Sequence, residues 1–236
     1  MDTATLLQTV EHETAPNPQW TVLWLHGLGA DGHDFAPIVP DLLTRDGSRR
    51  DWPPLRFVFP HAPQRAVTIN GGARMRAWYD ISSFDMNGPD LANRADAQGV
   101  EESIEQVERL IAREADRGVP ASRLLLAGFS QGGAITLAAG LRRRKPLAGL
   151  IGLSTYLPLH DRAAQQLATQ ATAQPVFMAH GLQDPVVPYA AGELSAARLR
   201  ELGFNVDWHR YPMPHSVCAD EIRDLGDWIS RRFTPA

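Results

Sequence analysis

One serine of this sequence lies where a run of apolar residues is interrupted and resumes at once. The stretch 124–140 reads LLLAGFSQGGAITLAAG, and residues 128–132 within it fit the pattern G-x-S-x-G around Ser130. A predicted strand precedes the pentapeptide and a predicted helix follows it, which is the context of a nucleophile elbow. The sharp turn strains the serine backbone and requires small neighbours, so the pattern predicts that the Ser130 hydroxyl lies at the carboxyl end of a strand. Taken alone, the pentapeptide fits an incidental glycine-rich turn equally well.

The residues that a nucleophilic serine needs follow further along the chain. A serine hydroxyl becomes a good nucleophile when a histidine removes its proton, and a carboxylate fixes the tautomer of that histidine. The segment HGLQDPVVP supplies Asp184 and the segment YPMPHSV supplies His215, each just after a predicted strand. The order serine, acid, histidine is the one found with this type of elbow. The sequence therefore predicts a triad of Ser130, Asp184 and His215 at one edge of a sheet.

Other residues compete for the roles of base and acid. His61 and His180 also follow or end predicted strands, and Asp207 lies within one. Chain order favours His215 as the base, because His61 precedes the serine and His180 precedes the acid. Alternation along the strand favours an outward orientation for Asp207, which leaves Asp184 as the preferred acid.

The elements that must position these residues alternate between strands and helices. Helical patterns occupy 95–118, 159–170, 190–203 and 219–233, and a further edge strand is predicted at 6–13. Such alternation is typical of βαβ units, which build a mostly parallel sheet with helices on both faces. We therefore predict one α/β domain over residues 1–236. The predicted interior strands are 20–27, 55–60, 122–128, 147–154, 174–181 and 204–212.

The bulk properties exclude several classes of protein. A net charge of -4 over 236 residues argues against a nucleic-acid-binding protein, whose surface should be basic. No stretch approaches the roughly 18 apolar residues of a membrane span, and the first residues lack the features of a signal peptide. The single cysteine, Cys218, excludes an intrachain disulfide and is expected to be a buried structural thiol. These features favour a cytoplasmic protein without integral membrane association.

Two smaller clusters of polar residues are assigned structural roles. His33, Asp31 and Asp34 are close enough in sequence to suggest metal ligands, but they lack a second cluster at a recognised spacing. We expect them to cap a loop, and we expect neither a metal nor an organic cofactor. The basic run RRR at 142–144 is expected to cap a helix end, where cations are favoured by the helix dipole.

Several motifs together resemble the phospholipase/carboxylesterase family of α/β-hydrolases, which includes acyl-protein thioesterases. The motifs are LHGLGADGHDF (25–35), FPHAPQRAVTINGGARMRAWYDI (59–81), GFSQGG, HGLQDPVVP and YPMPHSV, and the resemblance extends over 20–228. It implies an α/β-hydrolase fold with the triad named above. It further implies an oxyanion hole made by the backbone N–H groups of Leu28 and Gln131, with His26 shaping the loop that carries Leu28. The resemblance and the loop position also suggest that Trp78 walls the substrate pocket.

The preferred function is that of a carboxylesterase that cleaves short- to medium-chain esters through an acyl-enzyme. An acyl-protein thioesterase and a lysophospholipase are the alternatives within the family, and the substrate is a small ester or thioester in each case. A non-catalytic binding module is disfavoured because no member of the triad is missing. Residues 155–174 leave little room for a lid, so an open apolar groove is expected, with 60–94 as one wall. The oligomeric state stays open, with a homodimer as one option.

Overall fold

The protein is built on one seven-stranded sheet. The computed structural model describes residues 6–82 and 96–233, and all positions below refer to these. Two short hairpins, at 44–49 and 64–76, lie outside the main sheet. In chain order the strands are β1 (Thr9–Glu13), β2 (Trp20–Leu25), β3 (Thr44–Arg45), β4 (Ser48–Arg49), β5 (Leu55–Pro60), β6 (Gln64–Val67), β7 (Ala73–Arg76), β8 (Leu124–Phe129), β9 (Gly149–Leu153), β10 (Val176–Gly181) and β11 (Val206–Tyr211).

The main sheet has the order β1-β5-β2-β8-β9-β10-β11. Only the edge strand β1 runs antiparallel to its neighbour, and the other described pairings of this sheet are parallel. The interior strands are buried on both faces, which explains why they read as unbroken apolar runs. Each of the seven predicted strands, including the edge strand at 6–13, is confirmed to within a few residues.

Helices cover both faces of this sheet and divide the core into two clusters. One cluster includes the apolar stripe of α2, in which Val100, Ile104, Val107 and Ile111 are all buried, as their spacing predicts. The other cluster lies on the opposite face, where α1 and α6 pack. The helices are α1 (Val39–Leu42), α2 (Ala97–Asp116), α3 (Gln131–Leu141), α4 (Ala163–Gln166), α5 (Tyr189–Glu201) and α6 (Ala219–Phe233).

The basic run at 142–144 lies at the end of α3, as predicted, but its main contacts are ion pairs. Arg142 pairs with Glu101, and Arg143 pairs with Glu108, both of which belong to α2. The carboxylates of a neighbouring helix therefore bind these guanidinium groups, and the run ties α3 to α2. Only the tertiary structure brings these charges together, since more than 30 residues separate them in the chain.

Two further expectations are revised by the structure. The crossover between β9 and β10 contains only the four-residue helix α4 and short 3-10 turns, where the sequence predicts a longer helix over 159–170. Cys218, expected to be buried, is partly exposed just before α6. Among the described residues there is no large cap over the sheet edge, and no helix is both long and apolar enough to cross a membrane. The predicted wall at 60–94 is described as far as Ser82, and its remaining residues lie outside the described ranges.

Candidate active site

Ser130 occupies a strained turn between β8 and α3. Its backbone has φ 53° and ψ -120°, in a region that residues other than glycine seldom adopt. The Ser130 N–H donates a hydrogen bond to the carbonyl oxygen of Leu153 in the adjacent strand at 2.9 Å. The turn is therefore held by β9 on one side and by the start of α3 on the other. This is the backbone geometry that the G-x-S-x-G pattern predicts.

The two glycines of the pattern leave no room for a side chain. A Cβ atom at Gly128 would lie 2.3 Å from the carbonyl group of Gly132. A Cβ atom at Gly132 would lie 2.3 Å from the carbonyl oxygen of Leu25 in β2. Both obstacles are backbone atoms, which cannot give way as a flexible side chain can. The close approach of β2, β8 and α3 around Ser130 thus requires glycine at both positions.

The predicted acid and base meet at the carboxyl ends of β10 and β11. Asp184 Oδ2 lies 2.7 Å from His215 Nδ1, and Asp184 Oδ1 accepts the amides of Val186 and Val187 at 2.8 and 2.9 Å. Burial alone would raise the pKa of Asp184, but the adjacent His180, the hydrogen bond with His215 and the two amides outweigh it and hold the pKa well below its usual range. Asp184 is therefore ionised at neutral pH.

The ring of His215 contacts both Asp184 and Phe129. Its Nδ1 is engaged by Asp184, so Nε2 is the ring nitrogen left for a serine hydroxyl. The ring packs against Phe129, the residue before Ser130, with 4.7 Å between ring centroids. His215 and Ser130 line the same cavity. The structure thus brings together all three residues that the sequence selects.

This cavity is small and mostly apolar. Its volume is about 260 Å³. Val186 contributes an exposed side chain to the lining, whereas Val187 is nearly buried. Asp34 supplies a carboxylate, and burial together with the neighbouring Asp31 raises its pKa. The apolar lining suits an acyl chain next to a reactive polar group. Tyr79, Ile81, Phe129, Tyr156, Val186 and Val187 form most of its apolar surface.

The two residues whose backbone amides are predicted to form an oxyanion hole both line this cavity. Leu28 and Gln131 both line it, and Gln131 is the first residue of α3. The first amides of a helix have no acceptor within the helix and lie at the positive end of its dipole. Within the part of the chain that the structure describes, neither amide donates a hydrogen bond to another group. Both are therefore free to bind a negatively charged oxygen.

His26 shapes the loop that carries Leu28, as predicted. Its Nδ1 donates to the carbonyl oxygen of Gly27 at 2.7 Å, and its Nε2 accepts the amide of Ala62 at 3.0 Å. Burial lowers the pKa of His26 to about 4, although the hydrogen bond to Gly27 acts in the opposite direction. The imidazole is therefore neutral at neutral pH, with both nitrogens committed to the backbone.

Trp78 lies behind the cavity, not in its wall. It is fully buried, and its indole N–H donates to the carbonyl oxygen of His26 at 2.8 Å. The adjacent Tyr79 takes the place expected of Trp78, because it lines the cavity and its hydroxyl pairs with that of Tyr156 at 2.8 Å. The loop presents the second aromatic residue of AWYD to the cavity and uses the first to support the His26 loop.

The side chain of Gln131 has a role that the sequence reasoning missed. Its Oε1 accepts a hydrogen bond from the backbone N–H of Trp78 at 2.8 Å, and its Nε2 donates to the carbonyl oxygen of Tyr79 at 2.8 Å. One buried amide thus binds the start of α3 to the segment that lines the cavity. The only signal in the sequence is a polar side chain at the start of an otherwise apolar helix.

The remaining candidates have other partners. Asp207 contacts His209 at 2.9 Å and Arg231 at 3.3 Å, on the surface and away from the cavity lining. His61 Nδ1 accepts the amide of Gly32 at 3.0 Å and so anchors a loop. Asp31 accepts the N–H of His33 at 2.8 Å, in keeping with loop capping. No group of three or more potential ligands that could hold a metal ion occurs within residues 6–82 and 96–233.

Comparison with known proteins places these features in a family. The family model described as phospholipase/carboxylesterase matches residues 8–232. An acyl-protein thioesterase 1 from Neurospora crassa is 40% identical over 90% of this chain and 86% of its own length. One from Yarrowia lipolytica is 40% identical over 90% of this chain and 92% of its own length.

Solved structures give the same result. The crystal structure of SOBER1 from Arabidopsis thaliana matches with a TM-score of 0.81 and 32% identity, over 91% of this chain and 99% of that one. The carboxylesterase from Bacillus cereus, at 18% identity and a TM-score of 0.75, shares the fold over 98% of this chain and 96% of its own. The chain belongs to the phospholipase/carboxylesterase family of α/β-hydrolases.

Proposed function

We propose that the protein is a serine hydrolase that cleaves acyl thioesters and carboxylic esters through an acyl-enzyme. The observation that carries this proposal is the 2.7 Å contact between Asp184 Oδ2 and His215 Nδ1, beside a cavity that also holds the strained Ser130. Membership of a family of ester hydrolases supports the reaction class. The names of the relatives, acyl-protein thioesterase 1, favour thioesters over other esters.

Acylation begins with attack by Ser130 Oγ on the carbonyl carbon of the substrate. His215 Nε2 takes the hydroxyl proton, and the ionised Asp184 stabilises the imidazolium that results. Negative charge develops on the carbonyl oxygen, where the amides of Leu28 and Gln131 can bind it. Collapse of the tetrahedral intermediate breaks the bond to the leaving alcohol or thiol, which receives the proton from His215. The acyl group remains bound to Ser130 as an ester.

Deacylation repeats these steps with water. His215 removes a proton from the water molecule as it attacks the acyl carbonyl, and the same two amides bind the second oxyanion. The bond to Ser130 Oγ then breaks, and Oγ recovers its proton from His215. The products are a carboxylic acid and the free enzyme. Each step uses residues of this chain and water alone.

The cavity supports short to medium acyl chains. Its volume of about 260 Å³ lies just below the usual range of ligand pockets, roughly 300 to 1,000 Å³. The exposed side chain of Val186 marks the place where a longer chain would emerge onto the surface. We therefore propose that chains of intermediate length are turned over best, because they fill the apolar surface without leaving it.

A hydrolysis panel tests this proposal. Acyl chains of two to sixteen carbons would be presented as thioesters, as matched oxygen esters and, for the longer chains, as lysophospholipids, to the wild type and to Ser130→Ala. We expect kcat/KM to pass through a maximum at intermediate length, with thioesters favoured, and we expect the variant to be inactive. Equal turnover by the variant would contradict the mechanism. A preference for oxygen esters at every length would return the assignment to a carboxylesterase, and a preference for lysophospholipids to a lysophospholipase.

A further inference from the structure

A second histidine lies against the acid. His180 in β10 is fully buried, and its Nε2 lies 3.4 Å from Asp184 Oδ2. The same nitrogen lies 2.8 Å from the carbonyl oxygen of Val187. Asp184 thus faces two imidazoles, of which only His215 reaches the cavity. The mechanism above gives His180 no chemical step.

The contacts of His180 fix its tautomer. A carbonyl oxygen can only accept a hydrogen bond, so Nε2 carries the proton and donates it to Val187. Nδ1 has no hydrogen-bond partner among the described residues, so a proton there would be a buried donor without an acceptor. The ring also packs closely on α5, since a Cβ atom at Gly192 would lie 2.3 Å from Nδ1. His180 therefore directs its Nε2–H at the loop that holds the acid.

Val187 is hydrogen-bonded through its backbone to both the acid and His180. The Val187 N–H donates to Asp184 Oδ1 at 2.9 Å, and the Val187 carbonyl oxygen accepts from His180 at 2.8 Å. Val187 also lines the cavity. Tyr189 and Trp208 hold the His180 ring at centroid distances of 6.1 and 6.2 Å. The His180 side chain of β10 thus contacts both Asp184 and Val187, which forms part of the cavity wall.

We propose that His180 is a positioning residue, which clamps Val187 and thereby holds the Asp184 carboxylate against His215. This proposal rests on the proposed function for its consequence in catalysis, but the clamp itself is a property of the folded protein. Without the His180 side chain, the amides of Val186 and Val187 would still bind Asp184 Oδ1, but the Val187 carbonyl would lose its hydrogen bond to β10. Asp184 would then support the imidazolium of His215 less well.

The test is an NMR titration of the His215 ring, which needs no substrate, together with kcat/KM as a function of pH. His180→Leu removes the N–H donor, whereas His180→Gln keeps one. We expect the midpoint of the His215 titration to fall by about 0.5 to 1 pH unit in His180→Leu, since a misplaced carboxylate stabilises the imidazolium less. The acid limb of kcat/KM should move with it, and kcat should fall about tenfold. His180→Gln should stay near the wild type in the His215 midpoint and in the pH dependence of kcat/KM.

The other titratable groups near this site must stay unchanged if the His215 midpoint is to report on His180. Asp184 lies 3.4 Å from His180, Tyr189 contacts the His180 ring, and Asp34 shares the cavity with His215. None of these is altered in the variants except His180. Gly192→Ala gives a second route to the same displacement, because the new methyl group would push on Nδ1 without removing the donor. It should move the midpoint in the same direction, which keeps the test informative if His180→Leu fails to fold.

A control separates positioning from mere stability. Gln174 is fully buried and binds backbone groups at the opposite end of β10, so Gln174→Leu should destabilise the fold without moving the His215 titration. An unchanged midpoint in both His180→Leu and Gly192→Ala would overturn the proposal. A shifted midpoint in an enzyme without hydrolytic activity would instead uphold the clamp and refute the proposed function.

Discussion

The side-chain oxygen Oε1 of Gln131 accepts a hydrogen bond from the backbone N–H of Trp78 at 2.8 Å. The residue directly after the serine therefore has two separate roles. It lines the cavity, where its backbone amide is proposed to bind the oxyanion, and its side chain binds the segment of residues 78–79. The proposed oxyanion hole and residues 78–79 are thus joined through one buried side-chain amide.

Replacing this side chain should affect both stability and rate. Gln131→Ala keeps the backbone amide but leaves the Trp78 N–H and the Tyr79 carbonyl unpaired, at a cost of about 1 to 3 kcal/mol each. We expect a lower free energy of unfolding and a fall in kcat/KM of about tenfold, since the geometry of the site must hold to a fraction of an ångström. Denaturant unfolding and steady-state kinetics measure the two effects.

The matched control is Gln174→Ala. Gln174 is also fully buried and also binds backbone groups, but in the crossover between β9 and β10 and away from the cavity. It should lose a similar amount of stability and keep its kcat/KM. If both variants lost rate equally, the effect of Gln131 would be general destabilisation.

The two candidate acids should differ strongly. Asp184→Asn should lower kcat on the order of 10⁴-fold, as in serine proteases, because an amide favours the wrong tautomer of the base. Asp207→Asn should change kcat little, because Asp207 contacts His209 and Arg231 outside the cavity lining. Parallel kinetics of the two variants decide between them. The reverse ranking would transfer the role of the acid to Asp207.

The rate should depend on pH through the base alone. The pKa of Asp184 lies well below its usual range, so this carboxylate stays ionised over the working pH range. We expect kcat/KM to rise with pH, because only the neutral form of the base can accept the serine proton. A soluble ester assayed across this range gives the profile. A flat profile would be incompatible with a histidine base.

Glu221 should make the stability of the protein depend on pH. It is fully buried in the first turn of α6, and burial raises its pKa from 4.5 to about 8, against the effect of the Cys218 backbone. Between these two values the unfolded chain releases a proton that the native protein keeps. The free energy of unfolding should therefore fall as pH rises, by up to about 1.4 kcal/mol per unit.

Glu221→Gln should abolish this dependence. The cleanest window is from about pH 6.5 to 8, because the lowered pKa of His26 contributes the opposite slope only between about 4 and 6.5. Denaturant unfolding at several pH values in that window measures the slope for both proteins. An equal slope in the wild type and the variant would show that Glu221 is ionised in the native state.

The sequence predicts the parts of this structure that follow from local rules. Interior strands are recognisable as apolar runs because both faces are buried. The elbow is recognisable as G-x-S-x-G because a Cβ atom at Gly128 or Gly132 would collide with backbone atoms. Chain order selects His215 from its rivals, and alternation along a strand favours Asp184 over Asp207. These features need no knowledge of distant contacts.

The parts that could not be predicted depend on contacts between distant segments. Trp78 and Tyr79 are adjacent aromatics, and only the packing against His26 and Gln131 decides which of them reaches the cavity. The role of His180 likewise depends on the path of the 184–187 loop. Helical propensity favours a helix over 159–170 but does not fix its length, and the structure keeps only the short helix α4 after a 3-10 turn.

The central claim is that Ser130 is the nucleophile, and covalent labelling tests it most directly. The protein would be treated with a fluorophosphonate and its mass measured intact and after proteolysis, alongside Ser130→Ala and His215→Ala. We expect one adduct on the peptide that contains Ser130 in the wild type, none in Ser130→Ala, and much slower labelling in His215→Ala. An adduct of equal yield in Ser130→Ala, or one on a different residue of the wild type, would contradict the account.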